Sequence, residues 1–269
     1  MKHDQLKLGS LLSYGQMLIS ILIGVVYTPI MIRLLGQSEY GLYNTVSSTV
    51  AMLSVLSLGF NSSYIRYFSG YKRKNDTQAI HRLNGLFMLI FMIIGLVAFS
   101  CGLFFSFNLT LIFDQGLTAQ EYAIARVLML MLSVNLGLSF PMSVFTSIIS
   151  AHERYVVLKL LGIFKTVVGP LVTLPLLMLG KGSFALVAVT LGISVLTDLI
   201  YLFYVRQKLQ CRFEFRNFEK GLFKSLLIFT SFIALNLIVD QVNTNLDKFL
   251  LGRFRGTEGV AIYSVGFTL

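Results

Sequence analysis

The chain has 269 residues, of which 55% are hydrophobic and only 13% charged, and its mean hydropathy is +0.77. A soluble domain carries about 25% charged residues, so this composition excludes an ordinary soluble enzyme or binding module. The net charge of +10 raises nucleic acid as a partner, but the bases sit on short polar segments, which the positive-inside rule of membrane proteins explains without it.

Uncharged runs over residues 8–32, 41–65, 83–113 and 127–151 each exceed the ~20 residues that cross a bilayer as a helix. Three further runs tolerate interior charge: 155–180 contains Lys165, 182–205 contains Asp198, and 225–251 contains Asp240, Asp247 and Lys248. Seven spanning helices are therefore expected. A β-barrel would instead show alternating segments of ~10 residues, and only helices satisfy every backbone group of such runs in lipid. The first run follows Lys2 and Lys7 as a signal peptide would, yet it exceeds the ~15 residues of a cleavable apolar core. Cys101 lies within the third run and Cys211 in a basic loop, so they should not pair. His3, His81 and His152 occupy separate polar segments. Neither a metal nor any other cofactor is expected.

With the N-terminus inside, fifteen of the 22 lysines and arginines fall on inner segments and five on outer ones, with Arg126 and Lys165 inside helices. That asymmetry predicts a multi-pass protein with a cytoplasmic N-terminus. The turn Gly180-Lys181-Gly182 should make the fifth and sixth spans antiparallel neighbours. Residues 206–224 mix bases with Phe213, Phe215, Phe218 and Phe223, the pattern of an interfacial amphipathic helix. The expected organisation is a six-helix lobe over residues 1–206, a cytoplasmic linker over 207–224 and an incomplete second lobe over 225–269.

A repeat supports two lobes. Leu34-Leu35-Gly36 is followed by Glu39, Tyr40, Gly41 and Tyr43; Leu250-Leu251-Gly252 is followed by Glu258, Gly259 and Tyr263. The offset of about 216 to 220 residues places the second copy after six helices, an even number that restores the orientation. Two parallel halves with a site between them are a recurrent transporter architecture. The fold class is accordingly an all-α integral membrane transporter bundle, a six-helix half followed by the start of a parallel repeat.

These residues carry a resemblance. Pro29 to Gly36 with Glu39 to Tyr43, Gly59 with Asn61 to Tyr67, and Asp247 to Gly252 with Gly259 to Tyr263 resemble the polysaccharide-export branch of the superfamily joining multidrug extruders with lipid-linked oligosaccharide flippases. The resemblance implies a carrier, not an enzyme. It implies movement of undecaprenyl-diphosphate-linked oligosaccharide from the cytoplasmic to the periplasmic leaflet of the bacterial inner membrane for polysaccharide or O-antigen export. Its implied partners are the bilayer, the lipid-linked substrate and polysaccharide polymerase or assembly machinery, with no nucleic acid. The alternative is a multidrug or cation antiporter of the same fold. Such carriers are longer, and this chain stops at Leu269 after only about 12 residues of an eighth helix, ~18 Å at 1.5 Å each, so a truncated form is expected.

Site residues are sought among polar groups inside the membrane, where ionisable side chains persist mainly against a cavity or a partner. Lys165 lies ~15 Å into its helix beside Gly162, Thr166, Gly169 and Thr173. It would attract a diphosphate, pair with Asp198 at similar depth, or snorkel to the interface. Arg126 is a further cation near the outer side, either an interface anchor or a partner of Asp247. Asn236, Asp240, Asn243 and Asp247 recur on one helical face. Milder stripes run through Ser13, Gln16, Ser20, Gly24 and Tyr27, and through Asn44, Ser47, Ala51, Ser54 and Asn61. The first, second and seventh spans are therefore expected to surround the cavity.

Overall fold

The computed structural model describes residues 2–57, 59–113, 117–216 and 221–268. Six helical spans are long and apolar enough to cross a bilayer, and a bent helix pair supplies a seventh. The first is α1 (Lys2–Leu35), and the second joins α2 (Gln37–Met52), a 3₁₀ turn (Leu53–Ser57) and α3 (Phe60–Arg73). Then come α4 (Thr77–Phe107), α5 (Ala119–Ala151), α6 (Tyr155–Met178) and α7 (Gly182–Gln207). The seventh span comprises α8 (Leu222–Gln241), a π turn (Val242–Leu246) and α9 (Asp247–Phe254), bent by 45° between Phe223–Ser231 and Ile233–Phe254. The last element, α10, covers Gly256–Thr268.

Local chemistry sets these boundaries. Gly36 at φ 82° and Gly59 at φ 72° break the chain before α2 and α3, a left-handed geometry that glycine adopts without a Cβ clash. The Asp76 carboxylate accepts from the Ala79 amide to start α4, and Thr118 and Glu121 form a capping box at α5. Each supplies an acceptor for helix-end N–H groups that have no partner within the helix. The α6–α7 turn has Gly180 at φ 72° and Gly182 at φ 59°, and the two helices pack side by side, as the short turn requires.

Helix packing depends on the small residues. A Cβ on Gly95 would lie 2.5 Å from the Gly137 carbonyl, and one on Gly102 would lie 2.0 Å from Ser133 Oγ. Those absences let α4 and α5 approach closely, the usual route to van der Waals association in lipid. The basic end of the lobe is filled by rings: Phe60 meets Phe87 edge-on at 6.2 Å, and Tyr64 meets Phe87 at 5.1 Å. At the opposite end Met31, Tyr40, Leu177, Leu186 and Ala261 form a cluster that joins α10 to the six-helix lobe. The α9–α10 joint leaves one residue between helices, as the α1–α2 joint does.

The linker departs from expectation. Residues 208–216 form no helix; they run as a strap folded back under the six-helix lobe. Glu214 N donates to the His81 carbonyl at 3.0 Å, and Asn84 Nδ2 donates to the Arg212 carbonyl at 3.0 Å. These bonds tie the strap to α4, and Phe213 stacks edge-on against Phe145 at 6.0 Å, so this ring faces the bundle, while Phe215 and Phe223 stay exposed. The expected Phe218 and Lys220 fall outside the described residues.

Candidate functional site: a polar cleft at mid-depth

Three helix irregularities meet halfway along the bundle. The 3₁₀ turn of the second span, the Pro141 region of α5 and the approach to the π turn of the seventh span enclose a cleft of about 190 Å³. Its polar lining comprises Ser54, Ser57, Asn61, Ser139, Ser143 and Gln241. Ser139 and Ser143 donate to the carbonyls of Leu136 and Phe140 on their own helix. Their oxygens therefore keep acceptor capacity for a guest. Ser147 Oγ donates to Asn61 Oδ1 at 2.8 Å, orienting the amide. The site is rich in hydroxyl and amide groups and carries no formal charge on its polar lining, a chemistry suited to a neutral polyol.

The second and seventh spans hold this cleft between them. A Cβ on Gly59 would lie 2.3 Å from Ile233 Cγ2, and one on Gly252 would lie 2.5 Å from Thr45 Cγ2. Arg66 lies 4.3 Å over the Phe229 ring. Thus the second and seventh spans do face one another. The first span does not join them; α1 lies along α6, with Gln16 against Gly162 and the Tyr27 hydroxyl within hydrogen-bonding reach of Thr173. The small stripe beside Lys165 packs on α1 at Gly162 and Thr173, whereas a Cβ on Gly169 would meet nothing within 4 Å.

Lys165 is half-buried on α6, and it is the cation acting on the half-buried Asp198 carboxylate of α7. Among the described residues the two do not close to a salt bridge. Arg126 is exposed on α5 and makes no ion pair with Asp247, whose Oδ2 accepts from the Tyr263 hydroxyl at 2.6 Å. Asn236 and Asp240 are exposed on α8. The π turn then inserts one extra residue, which rotates the side chains beyond it by roughly 100° about the helix axis. Asn243 and Asp247 therefore leave the face that a continuous α-helix would have given them. Asn44 Nδ2 donates to the Tyr40 carbonyl at 2.9 Å. None of the nine predicted site residues lines the mid-depth cleft, although the stripe residues Ser54 and Asn61 do. Sequence reasoning missed Ser57, Ser139, Ser143 and Gln241; the serine spacing of four on α5 was the available signal. Among the described residues no group of three or more His, Cys, Asp or Glu side chains would hold a metal ion.

The family model described as polysaccharide biosynthesis protein matches residues 7–269. The chain belongs to that family. No curated protein matches the sequence significantly. Among solved structures, a multidrug resistance MATE family transporter of the MOP superfamily in an inward-facing conformation superposes with a TM-score of 0.59 at 15% identity. The superposition covers 93% of this chain and 55% of that one, so the chain spans about half the length of that transporter. At that identity the likeness concerns the fold. The family is thus polysaccharide biosynthesis, and the fold is one shared with a multi-pass transporter.

Proposed function

We propose that this member of the polysaccharide biosynthesis family is a flippase that moves undecaprenyl-diphosphate-linked oligosaccharide from the cytoplasmic to the periplasmic leaflet of a bacterial inner membrane. The observation that carries the reading is the family match over residues 7–269. The geometry supports it with two kinds of polar surface at mid-depth. Lys165 supplies a cation in a low-dielectric setting, where a charge-assisted bond to a diphosphate is strong. The hydroxyl and amide lining around Ser54, Asn61, Ser139 and Ser143 suits sugar hydroxyls, which both donate and accept. Pro141, Pro170 and Pro175 interrupt α5 and α6, and such interruptions are the usual origin of helix bends in a rocking carrier.

The test is transbilayer movement of a fluorescent undecaprenyl-diphosphate-linked oligosaccharide in proteoliposomes, read by its accessibility to an impermeant glycosidase. Lys165→Ala should reduce movement by about tenfold or more at normal abundance, and Lys165→Arg should retain part of it, because charge is kept while donor geometry changes. A structural pair predicts otherwise: single neutralisation of Lys165 or Asp198 would lower folded yield, and double neutralisation would restore it. Normal movement by Lys165→Ala would remove the diphosphate role. Efflux of a cationic dye without oligosaccharide movement would replace the flippase by an antiporter.

A further inference from the structure

At the basic end of the bundle the strap 208–216 does not close flush against the helices. It is pinned at several points: Cys211 N donates to the Val205 carbonyl, Asn84 to the Arg212 carbonyl and Glu214 N to the His81 carbonyl. The Glu214 carboxylate lies 3.5 Å from Arg82 Nε. Between the strap and helices α4, α5 and α7 remains a cleft of about 540 Å³, within the size range of small-molecule sites, roughly 300–1,000 Å³. Its walls are apolar, including Met88, Phe145, Leu202 and Phe213, and Phe215 stands 51% exposed at its mouth. Arg206 and Arg212 belong to the same lining and are both exposed. Among the described residues neither guanidinium has a hydrogen-bond or ion-pair partner, while the neighbouring Glu214 is committed to Arg82.

An apolar slot with two unpaired guanidiniums is the complement of one kind of molecule: an amphiphile with a hydrocarbon chain and an anionic phosphate. We propose that this cleft binds an anionic phospholipid of the adjacent leaflet, one acyl chain lying against Phe145 and Phe213 and the phosphate held by Arg206 and Arg212. Guanidinium matches phosphate oxygens in a fork geometry, and basic pockets between helices at a membrane face are recurrent lipid headgroup sites. A zwitterionic lipid offers the same chain without net charge, so the arginines make the site selective. The site is separate from the mid-depth cleft, with which it shares no lining residue, and it is independent of the transported substrate. Its consequence is structural: the lipid would fasten the strap that leads from α7 to α8.

The chain contains no tryptophan, which makes a direct test available. Phe215→Trp provides a single fluorophore at the mouth of the cleft, and Leu96→Trp provides one on an exposed position of α4. In vesicles, phosphatidylglycerol with brominated chains should quench Phe215→Trp more strongly than phosphatidylcholine with the same chains, while both quench Leu96→Trp equally. Arg206→Gln and Arg212→Gln should each weaken the preference by about fivefold in apparent affinity. Equal quenching of Phe215→Trp by the two lipids overturns the proposal, and this comparison needs no arginine variant to fold. Relief of the quenching by an equal amount of undecaprenyl phosphate would assign the cleft to the polyprenyl carrier and overturn it as well.

Discussion

His152 ends α5, with Nδ1 2.8 Å from the Ile148 carbonyl and its ring centroid 4.7 Å from that of Phe68. Burial holds its pKa below the ordinary 6.5, with Lys72 and Arg154 acting in the same direction. The folded state therefore favours the neutral ring, and the unfolded state takes up the proton first as pH falls. Stability from this site is complete above about 6.5 and is lost as pH falls through the lower folded value. The melting temperature in detergent should accordingly decline below pH 6.5, and His152→Gln should flatten that decline; an unchanged slope would remove His152 as its cause. Cys211 is the second residue whose surroundings set its chemistry. Burial pushes its thiol up to about 11, so little thiolate is present at neutral pH. In a Cys101→Ala background, maleimide should modify Cys211 about a hundredfold more slowly in the folded protein than after denaturation. Equal rates would show that the strap leaves Cys211 open.

The strap is held closely at one point. A Cβ on Gly85 would lie 2.0 Å from the Glu214 carbonyl oxygen, a backbone atom that moves only if the strap moves. Gly85→Ala should cost about 1–3 kcal/mol by overpacking. It should appear as a lower melting temperature and as faster tryptic cleavage after Arg212 and Arg216, and cleavage at the wild-type rate would mean that the strap is not held there. The strap escaped sequence reasoning because Phe213 and Phe215 alternate with the charged residues Arg212, Glu214 and Arg216, a pattern that lipid and a protein groove satisfy equally. Glu39 is a similar case. The sequence marks it as part of a family signature without saying what it holds, and its Oε1 accepts from both Ser183 N and Ser183 Oγ at 2.6 Å. It ties the start of α2 to the first turn of α7, where the helix dipole favours an anion.

At the scale of the molecule, the distribution of lysine and arginine makes a prediction about sidedness. Cysteine placed singly at Lys74 and at Lys181, in a background lacking Cys101 and Cys211, should react with an impermeant maleimide from opposite sides of the membrane. Those positions are separated by α4, α5 and α6, an odd number of crossings. Labelling from one side would mean that one of these helices does not span.

Hydropathy alone located the six spans, the bent seventh and the all-helical class, with limits that differ by up to eight residues at the second, third and fourth spans, because lipid offers backbone groups no partner and leaves helices as the solution. The residue types at the joints 34–43 and 250–263 likewise carried the resemblance to the family. What only the tertiary structure decided is which polar groups share a space. Lys165 and Asp198 were matched from depth and stand on neighbouring helices without closing to a salt bridge, since depth comes from counting along rigid helices. Ser57, Ser139, Ser143 and Gln241 were not found, because azimuth about the helix axis depends on the neighbours. The π turn at Val242–Leu246 changes that azimuth without any mark in the hydropathy, and so separates Asp247 from the face that even spacing assigned it.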